Sequence, residues 1–400
     1  MKWDTNILFG LGFGAGFYLG WAYARTSSRR GSLPLASSKG LVKRTGKCLQ
    51  LVQEIPLTDT GNSFKGRFDH LSYDSERKLI FIACLGEHAV VVVDAFAGSA
   101  LSLQDVSSPE QTLLGRFGLL SYPQGILFVA ATNRLYVANA GNGKVHVFQI
   151  CEGKPCQTWK TWRQALNLLT IIDFGEEADN LRYADGQVFV GYGEGAIGVI
   201  NDGSEVSREN IDFVCPGGHP EGFQLEMSSL AVNKRIFVNV ADANAILVFD
   251  RTTGETVGEW PLPQGASDNF PMALDEVGRV LFVGVRKPAD KACVLCYDVD
   301  SGEVVERLPC VGDMDDLCFD ASRQRLYVIG GAGRITVIGT VEYPASLGVI
   351  ESKRYEVLSE VPTGLGARTG IWYPERDSLY VAAPATSTLP SRLLVYHAMD

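Results

Sequence analysis

The chain has 400 residues, of which 46% are hydrophobic and 20% charged, so it can bury a large core and is not disordered as a whole. It carries 36 basic and 46 acidic residues, for a net charge of −10. This balance argues against a partner that is a nucleic acid, because binding phosphates needs basic residues. Residues 1–47 hold eight basic side chains and one acidic one, so a basic leader precedes an acidic body of 28 basic and 45 acidic residues.

The first predicted element is a transmembrane helix at residues 7–24, after a short flank at residues 1–6. Its 18 residues carry no charge, and as a helix they reach about 27 Å, close to the roughly 30 Å of a hydrocarbon layer. A cleaved signal peptide is the alternative, but its apolar part is usually shorter and follows a basic start. Here the basic residues follow the apolar run. We therefore expect an uncleaved single-pass anchor in the lipid bilayer.

The predicted helix has a face of small residues. Gly12, Gly16 and Gly20 recur every four residues, which lets another membrane helix approach closely. Membrane protein subunits are therefore the expected partners of this helix. The alternative is that glycine is simply common in membrane spans.

Residues 25–47 are rich in serine, glycine and basic residues and predict a flexible tether. Because most basic residues follow the span, the long domain is expected on the cytoplasmic, matrix or stromal side of the membrane. The nine cysteines are odd in number and thinly spread. They are predicted to be mostly free thiols in a reducing compartment, which agrees with that orientation.

From residue 48 onward, the sequence repeats a unit of short β-strands. A strand of the type RLYVANAG occurs seven times, and its copies are 45 to 56 residues apart, near the ~40–50 residues of a four-stranded propeller blade. Each copy is followed by another apolar strand rich in β-branched residues, such as AVVVVD. The pattern predicts an all-β, seven-bladed β-propeller over residues 48–400. The seven copies begin at Leu79, Leu135, Val188, Ile236, Leu281, Leu326 and Leu379.

The seventh blade lacks an outer strand after LLVYHAMD. Upstream of the first blade, Leu49–Leu57 (LQLVQEIPL) resembles outer strands such as ETVGEWPLP. The economical prediction is that this segment pairs with the last strand of the seventh blade. Such pairing closes the ring and covers an edge that would otherwise invite aggregation.

The segments LYVANAGNGKVHVF and FVNVADANAILVFDRTTGE resemble the YVTN-type repeats of seven-bladed propellers, including YncE-like proteins. The resemblance spans about residues 48–400 and excludes the leader. It implies a propeller fold. It is much less specific for activity, because such propellers serve as lactonases, binding modules and surface proteins.

Polar residues precede or begin each predicted inner strand, and these strands surround the central channel of a propeller. A concave mouth with converging polar groups is the default hypothesis for a binding site. The predicted binding residues are Arg67, Asp69, His70, Gln124, Asp179, Asn180, His219, Glu221, Asn269, Asp315, Asp316 and Arg368.

Three interpretations of this set stay open. The side chains can pair with one another, as buried charges usually do. The mouth can bind a small molecule or a divalent cation such as Ca²⁺ or Mg²⁺, which prefer oxygen ligands. It can also perform hydrolysis, with His70 or His219 as general base and an arginine beside the oxyanion. The oxygen ligands of a cation would come from Asp179, Asn180, Glu221, Asn269 and Asp315.

An insertion between blades 2 and 3 carries Trp159 and Trp162 beside basic residues. On a short helix both indoles share a face, a composition typical of protein contacts. The alternative is that both rings cover the side of the propeller.

No GxSxG, GxxxxGK[ST] or HExxH motif is present, so no catalytic residue, metal site or cofactor is assigned. The sequence therefore favours a membrane-anchored binding or scaffold module, an accessory subunit of a larger membrane complex, over an enzyme. The alternative is a lactonase-like hydrolase or a protein that binds a small molecule or divalent cation in the central funnel.

Overall fold

The structure is a computed structural model that describes residues 47–59, 62–95, 99–102, 120–150, 166–227, 234–341 and 354–400. Within these ranges no helix has the length and apolar character needed to span a membrane. Several predicted features lie outside the described residues: the transmembrane helix at 7–24 with Gly12, Gly16 and Gly20, the tether up to residue 46, and Trp159 and Trp162.

Seven four-stranded antiparallel sheets form the described part of the chain, together with a small hairpin. The thirty strands are β1 (Leu49–Pro56), the hairpin β2 (Thr58–Asp59) and β3 (Asn62–Ser63); blade 1, β4 (Leu71–Asp74), β5 (Leu79–Cys84), β6 (Ala89–Asp94), β7 (Ser99–Ser102); blade 2, β8 (Pro123–Val129), β9 (Arg134–Asn139), β10 (Lys144–Ile150), β11 (Leu166–Asp173); blade 3, β12 (Ala178–Ala184), β13 (Gln187–Tyr192), β14 (Ala196–Asp202), β15 (Val206–Val214); blade 4, β16 (Pro220–Leu225), β17 (Arg235–Val240), β18 (Ala245–Asp250), β19 (Thr256–Pro261); blade 5, β20 (Ser267–Asp275), β21 (Val280–Lys287), β22 (Cys293–Asp298), β23 (Val304–Pro309); blade 6, β24 (Met314–Asp320), β25 (Arg325–Gly330), β26 (Ala332–Val341), β27 (Arg354–Leu365); and blade 7, β28 (Thr369–Tyr373), β29 (Ser378–Ala383) and β30 (Arg392–Ala398). Short 3₁₀ turns lie at Leu85–Glu87, Ala289–Lys291 and Pro374–Arg376.

This arrangement confirms the predicted seven-bladed propeller. All seven repeat copies are second strands, and the strand after each copy is the third strand of its blade. These strands are buried on both faces because each blade packs between two neighbours, which explains their near-continuous apolar sequences. Phe81 of blade 1 and Leu135 of blade 2, for example, belong to one apolar cluster.

The seven cysteines in the described ranges form no disulfide bond. Cys293 and Cys296 lie three residues apart on β22, and each packs in a different apolar cluster, one on either side of the blade. Their side chains therefore point to opposite faces, as alternation along a strand requires.

The ring is closed by β1, which pairs antiparallel with β30 from Leu49↔Ala398 to Pro56↔Arg392. The amide of Leu57 extends this contact by donating to the carbonyl oxygen of Ser391 at 2.9 Å. Blade 7 therefore takes its outer strand from the start of the propeller, as the sequence predicts. Ile55 and Leu57 are buried in a cluster that contains side chains of blades 1 and 7.

Closure can be tested by truncating a buried side chain of β1. Ile55 is 1% exposed, so Ile55→Ala is expected to lower the free energy of unfolding by about 2–5 kcal/mol. The control is Val52→Ala on the same strand, where the side chain is 56% exposed and the expected change is below about 0.5 kcal/mol. Thermal and urea unfolding measure both. Equal stability of the two variants would contradict a closing role for β1.

Candidate functional site

The mouth of the channel is built by β-bulges at the start of the inner strands. In blades 2 to 6 the pairing between the inner and second strands is interrupted by one extra residue. A bulge redirects side chains and is common next to functional sites. The bulged residues are Gln124, Gly125, Asp179, Asn180, Glu221, Gly222, Phe270, Pro271 and Asp315.

Glycine in the bulges lets neighbouring inner strands approach closely around the channel. A Cβ atom at Gly125 would lie 1.9 Å from the carbonyl oxygen of Asp179 in the next blade. A Cβ atom at Gly222 would lie 2.5 Å from the carbonyl oxygen of Phe270. Both distances are too short for a side chain, so glycine at these positions allows the strands that carry Asp179 and Phe270 to pack closely against the preceding blade.

The bulges surround a cavity of about 400 Å³, which we call the funnel and which is within the usual size range of ligand sites. Ten of the twelve predicted binding residues line it: Arg67, Asp69, His70, Gln124, Asp179, Asn180, His219, Glu221, Asp315 and Asp316.

The other two predicted residues lie elsewhere. Asn269 is fully buried, and its side-chain amide donates to Asn239 Oδ1 and to the carbonyl oxygen of Ala245, each at 3.0 Å. Its role in this structure is to join strands. Arg368 forms a bidentate pair with Asp313, at 2.9 and 3.0 Å. Neither side chain is part of the funnel lining.

Sequence reasoning also missed several lining residues. Glu177, Arg182 and Arg286 bring charge into the funnel, and Phe270 contributes an aromatic ring. Phe270 directly follows Asn269, and Glu177 lies two residues before Asp179, so a wider window around the predicted residues would have found both. Arg286 is at the far end of a second strand, where no polar motif marks it.

One side of the funnel is neutralised by arginines. Arg67 Nη2 lies 3.1 Å from Asp315 Oδ2 and 3.0 Å from Asp69 Oδ2. Arg286 also binds Asp315, donates to the carbonyl oxygen of Met314 at 2.6 Å and stacks on Phe270, 3.9 Å from the ring centroid. Self-pairing, one of the three open interpretations, therefore holds for this sector.

His70 lies at the centre of a group of carboxylates. Its Nδ1 is 3.3 Å from Asp316 Oδ1, and its Nε2 is 3.9 Å from Asp69 and 4.0 Å from Asp179. Burial opposes the charged imidazole, but the charge of Asp316 and its hydrogen bond, with Asp69 and Asp179, outweigh burial and raise the pKa of His70 to about 10. The His70 imidazole therefore carries a positive charge at neutral pH.

The opposite side of the funnel is acidic, and within the described residues Asp179 and Glu221 form no salt bridge with a lysine or arginine; the contact of Asp179 is with His70. Asp179 is 8% exposed and its Oδ1 has no hydrogen-bond partner in the described structure. Burial raises the pKa of the Asp179 carboxyl. Burial, together with Asp179 and Asp315, also raises the pKa of Glu221 to about 7 against the opposing effects of His219 and Arg286. Desolvation therefore keeps these two carboxyl groups protonated at a pH at which exposed carboxyl groups have lost their protons.

His219 stands beside Glu221 with a defined tautomer. Its Nδ1 lies 2.6 Å from the carbonyl oxygen of Gly193. Since a carbonyl oxygen can only accept a hydrogen bond, Nδ1 carries the proton. In the neutral imidazole Nε2 is then the acceptor, and this side chain lines the funnel.

Comparison with solved structures agrees with the fold. A chain in the "Crystal Structure of Mitotic Checkpoint Complex" is 14% identical, with a TM-score of 0.62 over 94% of this chain and 100% of that one. A chain of Kuenenia stuttgartiensis hydrazine synthase is 18% identical, with a TM-score of 0.60 over 81% of this chain and 94% of that one. Such low identities show the fold alone. No family model and no curated protein sequence matches the chain.

The charge state of His70 makes stability depend on pH. The folded-state pKa of about 10 lies above the ordinary value of 6.5, so the stabilisation is fully present below pH 6.5 and is lost as the pH rises through 10. The melting temperature of the wild type should therefore fall more steeply between pH 7 and pH 10 than that of His70→Gln. Substitution of the exposed His397, as His397→Gln, should leave the wild-type slope unchanged. Parallel slopes for all three proteins would contradict a charged His70.

Proposed function

We propose that the protein is a membrane-anchored binding or scaffold module that serves as an accessory subunit of a larger membrane complex. The observation that carries this proposal is a closed propeller whose polar funnel, of about 400 Å³, combines neutralised and unneutralised charge around one mouth. Propellers commonly present such mouths to partners. The resemblance to YVTN-type and YncE-like repeats supports the same class of role.

The described chain begins at the end of the propeller opposite the mouth. The mouth lies at the start of the inner strands, and in blade 7 this end contains Thr369, Ala382 and Pro56. The opposite end contains Leu49 beside Ala398. The carbonyl oxygen of Cys48 accepts a hydrogen bond from the amide of Met399 at 2.9 Å, so the described chain begins at the face opposite the funnel.

The leader, residues 1–47, supports the proposed membrane anchoring. Residues 7–24 are uncharged and residues 25–47 are basic, which favours a single pass with the propeller on the cytoplasmic, matrix or stromal side. The glycine face favours contact with another helix, and Trp159 and Trp162 offer a second contact.

Purification in mild detergent tests this proposal. The full chain should fractionate with membranes and co-purify with membrane proteins at a fixed stoichiometry. Gly16→Ile should release the partners, because a large side chain separates the two helices, whereas Ala15→Ile, one position away from the glycine face, should retain them. A chain that runs alone at its own mass contradicts the proposal.

Hydrolysis of a lactone is the second candidate function. The observation that favours it is the pair of His219 and Glu221 in the funnel, where the pKa of Glu221 is raised to about 7, a value suited to a general acid or base near neutral pH. Arg67 and Arg286 are the cations available to a developing negative charge.

A turnover assay decides between the two candidates. If the funnel hydrolyses lactones, His219→Ala and Asp315→Ala should each abolish turnover, since the first removes the base and the second releases Arg67 and Arg286. His397→Ala, on the exposed end of β30, is the control and should retain full activity. Absence of turnover by the wild-type protein, with or without added divalent cation, would remove this candidate.

A further inference from the structure

A second cavity extends the unneutralised side of the funnel outward across blades 3 and 4. Its volume is about 540 Å³, and it shares Glu177 and His219 with the funnel. The two cavities therefore adjoin at these two residues, and together we call them the acidic groove. Its carboxylates, from the channel outward, are Asp179, Glu221, Glu177, Glu176, Glu194 and Asp242.

The groove differs from the rest of the mouth because, within the described residues, its carboxylates make a single ion-pair contact, between Asp179 and His70 Nε2 at 4.0 Å. Within the described ranges, none of the six carboxylates forms a salt bridge with a lysine or arginine, whereas Asp315 is bound by both Arg67 and Arg286. The second cavity has no basic residue in its lining apart from His219. Like charges this close destabilise the free protein and favour a cationic ligand.

The inner end of the groove holds a buried carboxylate oxygen, Asp179 Oδ1, that accepts no hydrogen bond within the described residues. Asp179 is 8% exposed, and this oxygen lies 4.0 Å from His70 Nε2. An unsatisfied buried carboxylate oxygen is costly to the folded protein. A donor supplied by a ligand in the funnel would satisfy it.

Two glycines keep the groove open. Gly193 has a φ of +60°, and a Cβ atom there would lie 3.0 Å from Glu176 Oε2. Gly218 has a φ of +145°, and a Cβ atom there would lie 2.6 Å from Asp242 Oδ2. The backbone therefore forms a floor without side chains between the acidic residues.

The shape of the groove favours an extended ligand over a metal ion. In the described part of the chain, no three His, Cys, Asp or Glu side chains are arranged to hold a metal ion. The six carboxylates are instead distributed along two joined cavities. Lysine and arginine side chains carry several donors on long stems and can reach separate carboxylates.

We propose that the acidic groove binds a lysine- and arginine-rich segment of a partner protein. One basic side chain enters the funnel towards Asp179 and Glu221, and others contact the exposed Glu176, Glu194 and Asp242 at the rim. This inference rests on the proposed binding role and specifies the chemistry of the partner. Rim charges of this kind increase association rates and select partners of opposite charge.

Binding of a fluorescent hexalysine peptide to the purified full chain tests the groove. Fluorescence anisotropy should show saturable binding, and Glu177→Gln with Glu221→Gln should weaken it by roughly tenfold or more. The matched control is Glu259→Gln with Glu303→Gln, which removes the same number of carboxyl groups at exposed positions outside the groove and should change the affinity by less than about twofold. Unchanged melting temperatures would show that all variants are folded.

Three outcomes overturn the inference. The first is absence of saturable hexalysine binding to the wild type, and the second is an equal loss of affinity in the control variant. The third is displacement of the labelled peptide by Ca²⁺ but not by an excess of unlabelled hexalysine. Displacement by spermine at the same charge concentration as hexalysine would also contradict a polypeptide ligand, because it indicates a site for small polyamines. The measurement uses no membrane partner, so its failure is distinguishable from failure of co-purification.

Discussion

The pairing of β1 with β30 is the constraint on which the remaining structure depends. It joins residues that are more than 330 positions apart in the chain, such as Leu49 and Ala398, and so requires all seven blades to be in place. In a closed ring, every blade covers its apolar faces with two neighbours. The channel and its mouth exist only because the ring is closed, so the candidate site depends on an interaction on the outer rim of blade 7.

Within the ring, the bulges convert a structural repeat into a varied site. In blades 2 to 6 the extra residue at the start of the inner strand redirects a side chain at the mouth of the channel. Because the bulges are filled by different residues, with Gln124 in blade 2 and Asp315 in blade 6, the same backbone geometry presents different chemistry around the mouth. Close packing at Gly125 and Gly222 is the backbone condition for this arrangement.

The electrostatics of the mouth are asymmetric. Arg67 and Arg286 neutralise Asp315 on one side, and their charge-assisted hydrogen bonds make that sector rigid. On the side of blades 3 and 4, Asp179 and Glu221 are desolvated without such partners, which raises their pKa values. The first sector is held by arginine ion pairs, and the second retains carboxyl groups that a ligand can bind.

Much of this architecture could be predicted from local sequence. The period of the repeats, the alternation of β-branched residues and the outer-strand character of Leu49–Leu57 indicated seven blades and their closure, because these signals are carried by short segments. The sequence also placed most funnel residues at the mouth. It did not distinguish Asp179, which faces the cavity, from Asn269, which joins strands through Asn239, because one position along a bulged strand decides which way a side chain points.

The sequence by itself determined the repeat number, the closing strand and the acidic character of the propeller, since these follow from composition and local periodicity. Only the tertiary structure decided which carboxylates are neutralised. Arg67 and Asp315 are 248 residues apart, and their contact results from the ring bringing blades 1 and 6 to a common mouth. Because charge pairing acts over a few ångströms in space and not along the chain, the division between a paired sector and an acidic groove is a property of the folded molecule.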